Sequence, residues 1–179
     1  MMKQLIWKYK FKEHNIVKPS ILNCIENSKK SKRTGVFEHI TYTDFSEDDD
    51  FVNRDYFKII DPHLKDFFNT LDSKYYCTEH HTSNGWFQQY YTNDEHGWHF
   101  HASTNLSCVY YVELSSKKFS TQFWIDDKLY QKNVSEGDII VFPGFLPHRS
   151  PKITKSNTRK TIISFNVNLM HPAFKTLTN

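Results

Sequence analysis

The stretch "GWHFHASTNLSCVYYVEL", residues 97–114, places two histidines one residue apart and continues into a segment rich in aromatic and β-branched residues. Side chains at positions i and i+2 of a β-strand point to the same side. His99 and His101 can therefore point together from the end of a strand. Residues 106–114 have the composition of a buried strand. The stretch predicts a β-rich fold with a histidine pair at the edge of its interior.

Short strand-like segments follow one another through the second half of the chain. Each is rich in β-branched and aromatic residues, and polar turn residues separate it from the next. They cover residues 85–92, 106–114, 119–126, 138–143 and 160–169. Strands at this spacing, with no helical pattern between them, are typical of an antiparallel barrel or a two-sheet jelly roll.

The first half of the chain contains helical patterns. Residues 5–17 alternate between apolar and polar side chains, which predicts a strand, and Pro19 is expected to begin a helix. Residues 54–76 carry one apolar stripe at helical spacing, which Pro62 is expected to break or kink. The sequence thus predicts an α+β, mainly β fold: a double-stranded β-helix (jelly roll) with N-terminal helices packed on one sheet.

The 179 residues show no linker, so we expect one domain over residues 1–179. Residues 1–84 would supply the N-terminal strand and helices, and residues 85–170 the β core. Fifteen Phe, ten Tyr and four Trp give a chain of this length enough apolar area for a packed core.

Composition and charge argue against several classes of protein. The formal net charge is +3, and no aromatic platform flanks the basic run at residues 29–33, so nucleic-acid binding is not expected. The three cysteines form no C-x-x-C pair, which favours a reducing cytoplasm over a disulfide framework. No apolar run has the roughly 18–20 residues that span a bilayer, so a membrane partner is not expected.

A third histidine follows a distant strand. His148 comes directly after "DIIVFPGFLP", residues 138–147, where an apolar run predicts a buried strand that ends in a Pro/Gly turn. Two ligands from one strand and a third from a later strand can meet at the open end of a jelly roll. The sequence therefore predicts a metal site formed by His99, His101 and His148, whose imidazoles suit Fe, Zn, Cu or Ni.

A second arrangement of this site stays open. Three carboxylates lie close enough in the chain to supply a ligand in place of an imidazole: Asp94, Glu95 and Glu113. In that arrangement His101 would not bind the metal directly and would instead contact the metal-binding residues. Strand alternation favours direct ligation by His101.

An anion-binding pair follows the third histidine. Arg159 and Thr161 are two residues apart at the start of a predicted strand, so both can face the barrel interior. A guanidinium in a barrel is costly unless it meets an anion, and a carboxylate suits its two-pronged geometry. We expect this pair to hold the far end of a small dicarboxylate whose near end binds the metal.

These elements resemble the Fe(II)- and 2-oxoglutarate-dependent dioxygenases, in particular small members with an H-x-H, H and R-x-S/T pattern. The matching segments are "HFHASTNLSCVYYV" at 99–112, "VFPGFLPH" at 141–148 and "RKTIISFN" at 159–166. The resemblance covers about residues 85–170. It implies a hydroxylase that uses O2 and 2-oxoglutarate, forms succinate and CO2, and acts on a substrate that the sequence does not identify.

The resemblance also implies the metal ligands. His99 and His148 would bind Fe(II), and His101 stands where the wider superfamily has Asp or Glu. Three neutral imidazoles leave the iron more positive than two histidines and one carboxylate do. This departure bears on which metal is bound.

Roles in binding 2-oxoglutarate follow from the same resemblance. Arg159 and Thr161 would bind its distal carboxylate. Tyr111 occupies a position from which related enzymes bond that carboxylate, and Gln89 would form part of the pocket wall. Four aromatic residues are candidates for the wall of a dry cavity: Trp86, Trp98, Phe100 and Trp124.

Two other functions stay open from the sequence. The first is a cupin-like three-His metalloenzyme that does not use 2-oxoglutarate, and it would leave Arg159 without a ligand. The second is a non-catalytic jelly roll that binds a metal or a small acid. A protein that holds Zn(II) permanently and consumes no 2-oxoglutarate would fit the second.

Overall fold

The computed structural model describes residues 2–36, 38–47 and 50–170, so His171 lies outside the described residues. The strands are Trp7–Lys10 (β1), Ser31–Gly35 (β2), Glu38–Thr43 (β3), Glu79–Tyr90 (β4), Glu95–His99 (β5), Leu106–Leu114 (β6), Gln122–Ile125 (β7), Lys128–Gln131 (β8), Asp138–Pro143 (β9), His148–Ser150 (β10) and Lys160–Met170 (β11). The α-helices are His14–Asn27 (α1), Asp55–Ile60 (α2) and Lys65–Tyr75 (α3). Short 3-10 turns occupy Met2–Leu5, Phe51–Asn53, Asp61–His63 and Lys117–Phe119.

The strands form one antiparallel sheet that curls on itself. Their order is β1-β9-β6-β11-β4-β3-β5-β10-β7-β8, and β2 pairs with β3. Strands from both halves of this order share one apolar interior, which includes Ile140 of β9, Ile40 of β3 and Phe123 of β7. An antiparallel sheet whose two halves face each other across a core is a jelly roll, so the predicted fold class is confirmed.

The three helices cover the outer face of one half of the sheet. A second apolar cluster joins Ile21 of α1, Phe57 of α2 and Leu71 of α3 to outward residues of the sheet such as Phe165. Pro62 lies in the 3-10 turn that separates α2 from α3, as predicted. Because the helices cover one face and the barrel interior lies on the other, the central strands are buried on both sides.

The prediction for residues 5–17 is wrong in part. Strand β1 ends at Lys10 and helix α1 begins at His14, because Val17 and Ile21 belong to a buried stripe at helical spacing. Pro19, which was expected to begin a helix, lies inside α1. Burial therefore alternates along β1 and follows a helical period from His14 onward.

Side chains of β11 alternate between the two cores. Ile163 and Phe165 face the helices, whereas Ile162 faces the barrel interior. Since alternate residues share a side, the interior side of β11 also carries three polar residues: Lys160, Ser164 and Asn166.

A bulge in β6 adjusts the neighbouring strand. Thr161 of β11 pairs with Glu113, but the next residue, Ile162, pairs with Tyr111, so Val112 is an extra residue in the ladder. A bulge of this kind puts two successive residues on one side of a strand. Val112 and Glu113 therefore both lie on the helix-facing side, and Tyr111 faces the interior.

The described residues also bear on the cysteine and membrane predictions. All three cysteines are free thiols: Cys24, Cys77 and Cys108. No helix within the described ranges combines the length and the apolar character needed to cross a membrane.

Candidate metal centre

His99, His101 and His148 converge at one end of the barrel interior. One ligand nitrogen from each ring lies within 4.8 Å of those of the other two. His99 ends β5 and His148 begins β10, and the two residues pair directly across the β5–β10 ladder. Within the described residues, they form the one group of three or more His, Cys, Asp or Glu donors close enough to share an ion. The structure thus brings together the three predicted histidines, and metal binding by them stays a prediction.

Backbone contacts hold the segment that carries His101 against the turn before His148. The His101 N–H donates to the Gly144 carbonyl at 2.8 Å, and the Gly144 N–H donates to the Asn105 carbonyl at 3.0 Å. A Cβ on Gly144 would lie 2.6 Å from the Thr104 carbonyl oxygen. Glycine at this position therefore permits the two histidine-bearing segments to approach each other.

The Nδ1 atom of each ring is engaged in a hydrogen bond. For His99 and His148 the acceptors are backbone carbonyls two residues earlier in the chain, at 2.8 and 2.9 Å. A carbonyl can only accept, so Nδ1 carries the proton and Nε2 keeps its lone pair. The Nδ1 of His101 makes the corresponding bond to Asn166 Oδ1 at 2.8 Å. Three Nε2 lone pairs are thus available to one ion, an arrangement typical of metal-binding histidines.

Burial keeps the three imidazoles neutral. Desolvation lowers the pKa of His99 and of His101. It lowers the pKa of His148 well below its usual value, and the neighbouring His99 adds to this effect. The neutral imidazole is the form that binds metal ions.

A fourth histidine, His96, stacks on His99 with ring centroids 3.9 Å apart, but it is outside the three-donor group. Its Nδ1 lies 3.5 Å from Gln88 Nε2, and its Nε2 lies 3.6 Å from the Glu38 carboxylate. Desolvation, together with the proximity of His99, lowers the pKa of His96 to about 3. His96 therefore supports the ring of His99 by packing.

The three carboxylates considered as alternative ligands are engaged elsewhere. Asp94 accepts hydrogen bonds from the side chain and the backbone N–H of Thr41. Glu113 pairs with Arg159. Glu95 lines a separate surface cavity beside the β2–β3 hairpin. The geometry favours His101 over any of them as the third donor.

The residues around the three histidines fit a bound divalent transition metal. Three imidazoles with free Nε2 atoms leave further coordination positions for other ligands. Trp86 lines the same cavity, and its ring lies 5.8 Å from that of His101. Within the described residues the buried Trp86 Nε1–H has no hydrogen-bond partner. This donor is free to bond a water molecule or a ligand in the cavity.

Arg159 and Thr161 do not face this interior, so the orientation predicted for them is wrong. Nε and an Nη atom of Arg159 donate to the Glu113 carboxylate at 2.7 and 2.8 Å. Thr161 also donates to Glu113, and it accepts from Gln89 Nε2 at 3.3 Å. Arg159 further reaches Glu26 of α1 at 3.2 Å. These residues lie on the helix-facing side of the sheet, and the pocket role predicted for Gln89 fails for the same reason.

The prediction assigned the wrong face of β11 to the barrel interior. Both faces of β11 are buried, so the apolar pattern does not show which face is interior. Counting back in steps of two from Asn166, through Ser164, gives Lys160 rather than Arg159. The neighbouring strand β4 differs from the prediction in the same way, since Gln88 lines the cavity and Gln89 does not.

Lys160 occupies the interior position that was predicted for an arginine. Its side chain is 1% exposed. Nζ donates to the Ser150 hydroxyl and to the Phe119 carbonyl at 3.1 Å, and it lies 4.2 Å from the centre of the Tyr90 ring. Within the described residues no carboxylate pairs with it. Desolvation lowers the pKa of Lys160 to about 7. Because all of these partners are neutral, a buried ammonium at this position is suited to bind an anion.

Tyr111 lies on the interior side, and its predicted role in binding 2-oxoglutarate stays a prediction. Its hydroxyl donates to Thr121 Oγ1 at 2.9 Å and accepts from the Thr121 N–H at 3.0 Å. Desolvation raises the pKa of Tyr111 to about 12, so the hydroxyl keeps its proton. Thr121, and the Ser150 that bonds Lys160, both line the cavity of the three histidines.

The aromatic wall predicted for the cavity is reduced to Trp86. Trp98 and Phe100 flank His99 in the chain, and Trp124 follows the buried Phe123 on β7. All three point away from the interior and are 42%, 61% and 47% exposed, in that order. The Trp98 and Trp124 rings pack edge to face with centroids 6.0 Å apart, and the Arg149 guanidinium lies 4.7 Å from the centre of the Trp98 ring. They form an exposed aromatic surface outside strands β5, β7 and β10.

No protein-family model matches the sequence, and no curated protein does. The structure is similar to an oxidoreductase of the 2OG-Fe(II) oxygenase family from Burkholderia pseudomallei, with a TM-score of 0.72, 12% identity, and coverage of 95% of this chain and 89% of that one. It is similar to a Pseudomonas putida prolyl-4-hydroxylase, with a TM-score of 0.65, 9% identity, and coverage of 93% and 92%.

A Trichoplax adhaerens prolyl hydroxylase, solved with a peptide fragment of the hypoxia inducible factor oxygen degradation domain, is also similar. The TM-score is 0.65 at 11% identity, with coverage of 98% of this chain and 87% of that one. At such identities the likeness concerns the fold. The chain therefore has the fold that these 2-oxoglutarate- and Fe(II)-dependent oxygenases share, in agreement with the resemblance of its histidine motif.

Proposed function

We propose that this protein is a non-haem Fe(II)- and 2-oxoglutarate-dependent oxygenase that hydroxylates a substrate yet to be identified. Fe(II) would be held by His99, His101 and His148. The distal carboxylate of 2-oxoglutarate would bind Lys160, with the hydroxyl of Tyr111 nearby. The fold of the similar oxygenases and the converging histidines support the general reaction type.

The observation that carries the proposal is the buried Lys160. His148 and Ser150 are two residues apart on β10, about 7 Å along a strand, and Ser150 bonds Lys160. That span suits a five-carbon dicarboxylate with one end at the metal and the other at the ammonium. A cupin-like enzyme without 2-oxoglutarate would leave the buried ammonium without an anion.

The chain's own residues would bind, orient and shield the reactants. When bound, Fe(II) supplies the chemistry by which O2 converts 2-oxoglutarate to succinate and CO2 and hydroxylates a C–H bond of the substrate. Lys160 holds the cosubstrate by charge, and the apolar interior around Ile162 and Phe142 excludes water from it. The Trp86 N–H is available to an acceptor oxygen of a ligand in the cavity.

A spectroscopic experiment tests the proposal. Addition of Fe(II) and 2-oxoglutarate to the protein without oxygen should produce a visible metal-to-ligand charge-transfer band, because the keto acid would chelate the iron. Succinate is the matched control, since it has the distal carboxylate but no keto group and should give no band. Iron-loaded protein that shows no band with 2-oxoglutarate would overturn the proposal.

The affinity for 2-oxoglutarate should depend on pH through Lys160. The ammonium form binds the carboxylate, and the pKa of Lys160 without ligand is about 7. As the pH rises above 7, affinity should therefore fall, by up to about tenfold per pH unit. The histidines stay neutral over this range because burial lowers their pKa values. Calorimetric titration of the Zn(II)-loaded protein between pH 6.5 and 8.5 measures the slope.

A Lys160→Arg variant is the control for this pH dependence, because a guanidinium stays charged throughout the range. Its affinity should be nearly independent of pH. The same slope in the variant and the wild type would assign the pH dependence to another group.

A further inference from the structure

His101 is held differently from the other two histidines. The Nδ1 atoms of His99 and His148 bond backbone carbonyls close by in the chain. The Nδ1 of His101 instead meets two side chains, Asn166 Oδ1 and Ser107 Oγ, each at 2.8 Å. The orientation of this ring therefore depends on side chains from β11 and β6.

These side chains form a connected hydrogen-bond network. Asn166 Nδ2 donates to Asn84 Oδ1 at 2.7 Å, which directs Asn166 Oδ1 toward His101. Ser107 Oγ donates to Asn166 Oδ1 at 2.9 Å. Asn166 and Ser107 are 6% and 2% exposed, so bulk water is a poor substitute for either of them. The acceptor Oδ1 requires the proton of His101 on Nδ1 and leaves Nε2 to the ion.

We infer that Asn166, held by Asn84 and Ser107, is the positioning residue that makes His101 a metal ligand. The inference rests on the metal site of the proposed function, and it concerns the one ligand position that departs from the superfamily pattern. A neutral amide fixes the tautomer of His101 without adding negative charge. The centre then keeps the full positive charge of its ion for an anionic cosubstrate.

Metal affinity tests this role without any need for turnover. Replacing Asn166 with leucine, of similar size, should weaken Co(II) binding by about 10- to 100-fold, the usual effect of removing a partner that orients a metal-binding histidine. The visible Co(II) spectrum should shift as well, because the ring is no longer fixed. Asn166→Asp keeps an acceptor oxygen and should bind Co(II) at least as tightly as the wild type.

Asn168 offers a matched control on the same strand. Its side chain accepts a hydrogen bond from the Asn105 N–H, and within the described structure it makes no hydrogen bond to the three histidines. Asn168→Leu should therefore keep wild-type Co(II) affinity and spectrum. Circular dichroism of each variant verifies that the fold is retained.

A double-mutant cycle separates positioning from a general structural effect. In a His101→Ala background, Asn166→Leu should cause no further loss of Co(II) affinity, because its effect passes through His101. Wild-type affinity in Asn166→Leu, or an equal further loss in the His101→Ala background, would overturn the inference. Tight Co(II) binding that depends on Asn166, in a protein that gives no charge-transfer band with iron and 2-oxoglutarate, would overturn the proposed function and leave this inference standing.

Discussion

Replacing Lys160 with methionine should weaken 2-oxoglutarate binding by roughly 30- to 4,000-fold, which corresponds to the 2–5 kcal/mol lost when one partner of a buried charge pair is removed. Methionine keeps most of the side-chain volume, so the distal carboxylate of the ligand would meet an apolar surface at the position of the ammonium. The variant should also fold well, because a buried lysine with neutral partners is costly to the native state. Calorimetric titration of the Zn(II)-loaded variant measures the affinity.

Arg159→Met is the control that separates the two adjacent cations. Arg159 binds Glu113 and Glu26 on the helix-facing side, so its loss should leave 2-oxoglutarate affinity unchanged. A modest loss of stability is expected, since a half-buried Glu113 would lose its partner. If Arg159→Met impaired binding and Lys160→Met did not, the assignment of the anion site would be wrong.

Replacing His148 with alanine should reduce Fe(II) affinity by roughly 100-fold or more, since a ligand contributes more than the outer partners whose loss costs 10- to 100-fold. His101→Asp should behave differently, because it places a carboxylate where the oxygenases that the histidine motif resembles have Asp or Glu. Its Fe(II) affinity should stay within about tenfold of the wild type, and the charge-transfer band with 2-oxoglutarate should persist. Anaerobic titration monitored by that band, with metal analysis of the dialysed protein, measures both effects.

His96→Ala serves as the control for the histidine variants. Its ring stacks on that of His99 with centroids 3.9 Å apart, but it is outside the three-donor group. Iron affinity should therefore change little. A loss as large as that of His148→Ala would mean that His96 is a ligand and that the ligand set needs revision.

The histidine cluster could be predicted from the sequence because its geometry is mostly local. The spacing of His99 and His101 puts both residues at the end of one strand, with His101 two residues beyond the last residue of β5. The position of His148 follows from a buried strand and a Pro/Gly turn, and Gly144 in that turn permits the close approach. The curled sheet was predictable for a similar reason, since short apolar strands separated by polar turns have few other ways to bury their side chains.

The anion site could not be assigned in the same way, because β11 is buried on both faces. Alternation gives two equivalent choices there, and the motif resemblance favoured Arg159. The ion pair with Glu113 depends on the bulge at Val112, which shifts the register of β6 by one residue and has no clear sequence signal. The hydrogen-bond network around Asn166 was not predicted either, since Asn84 and Ser107 are distant from it in sequence and contact it only in the folded chain.

The direct pairing of His99 and His148 across neighbouring strands has a thermodynamic consequence. An ion held by both side chains would cross-link β5 to β10, the strand with three residues that joins β5 to β7 in the sheet. Iron uptake and the closing of that end of the barrel would then be linked equilibria, and the native state would gain stability in proportion to the logarithm of the free iron concentration. The metal would then stabilise the folded state in addition to its role in the reaction.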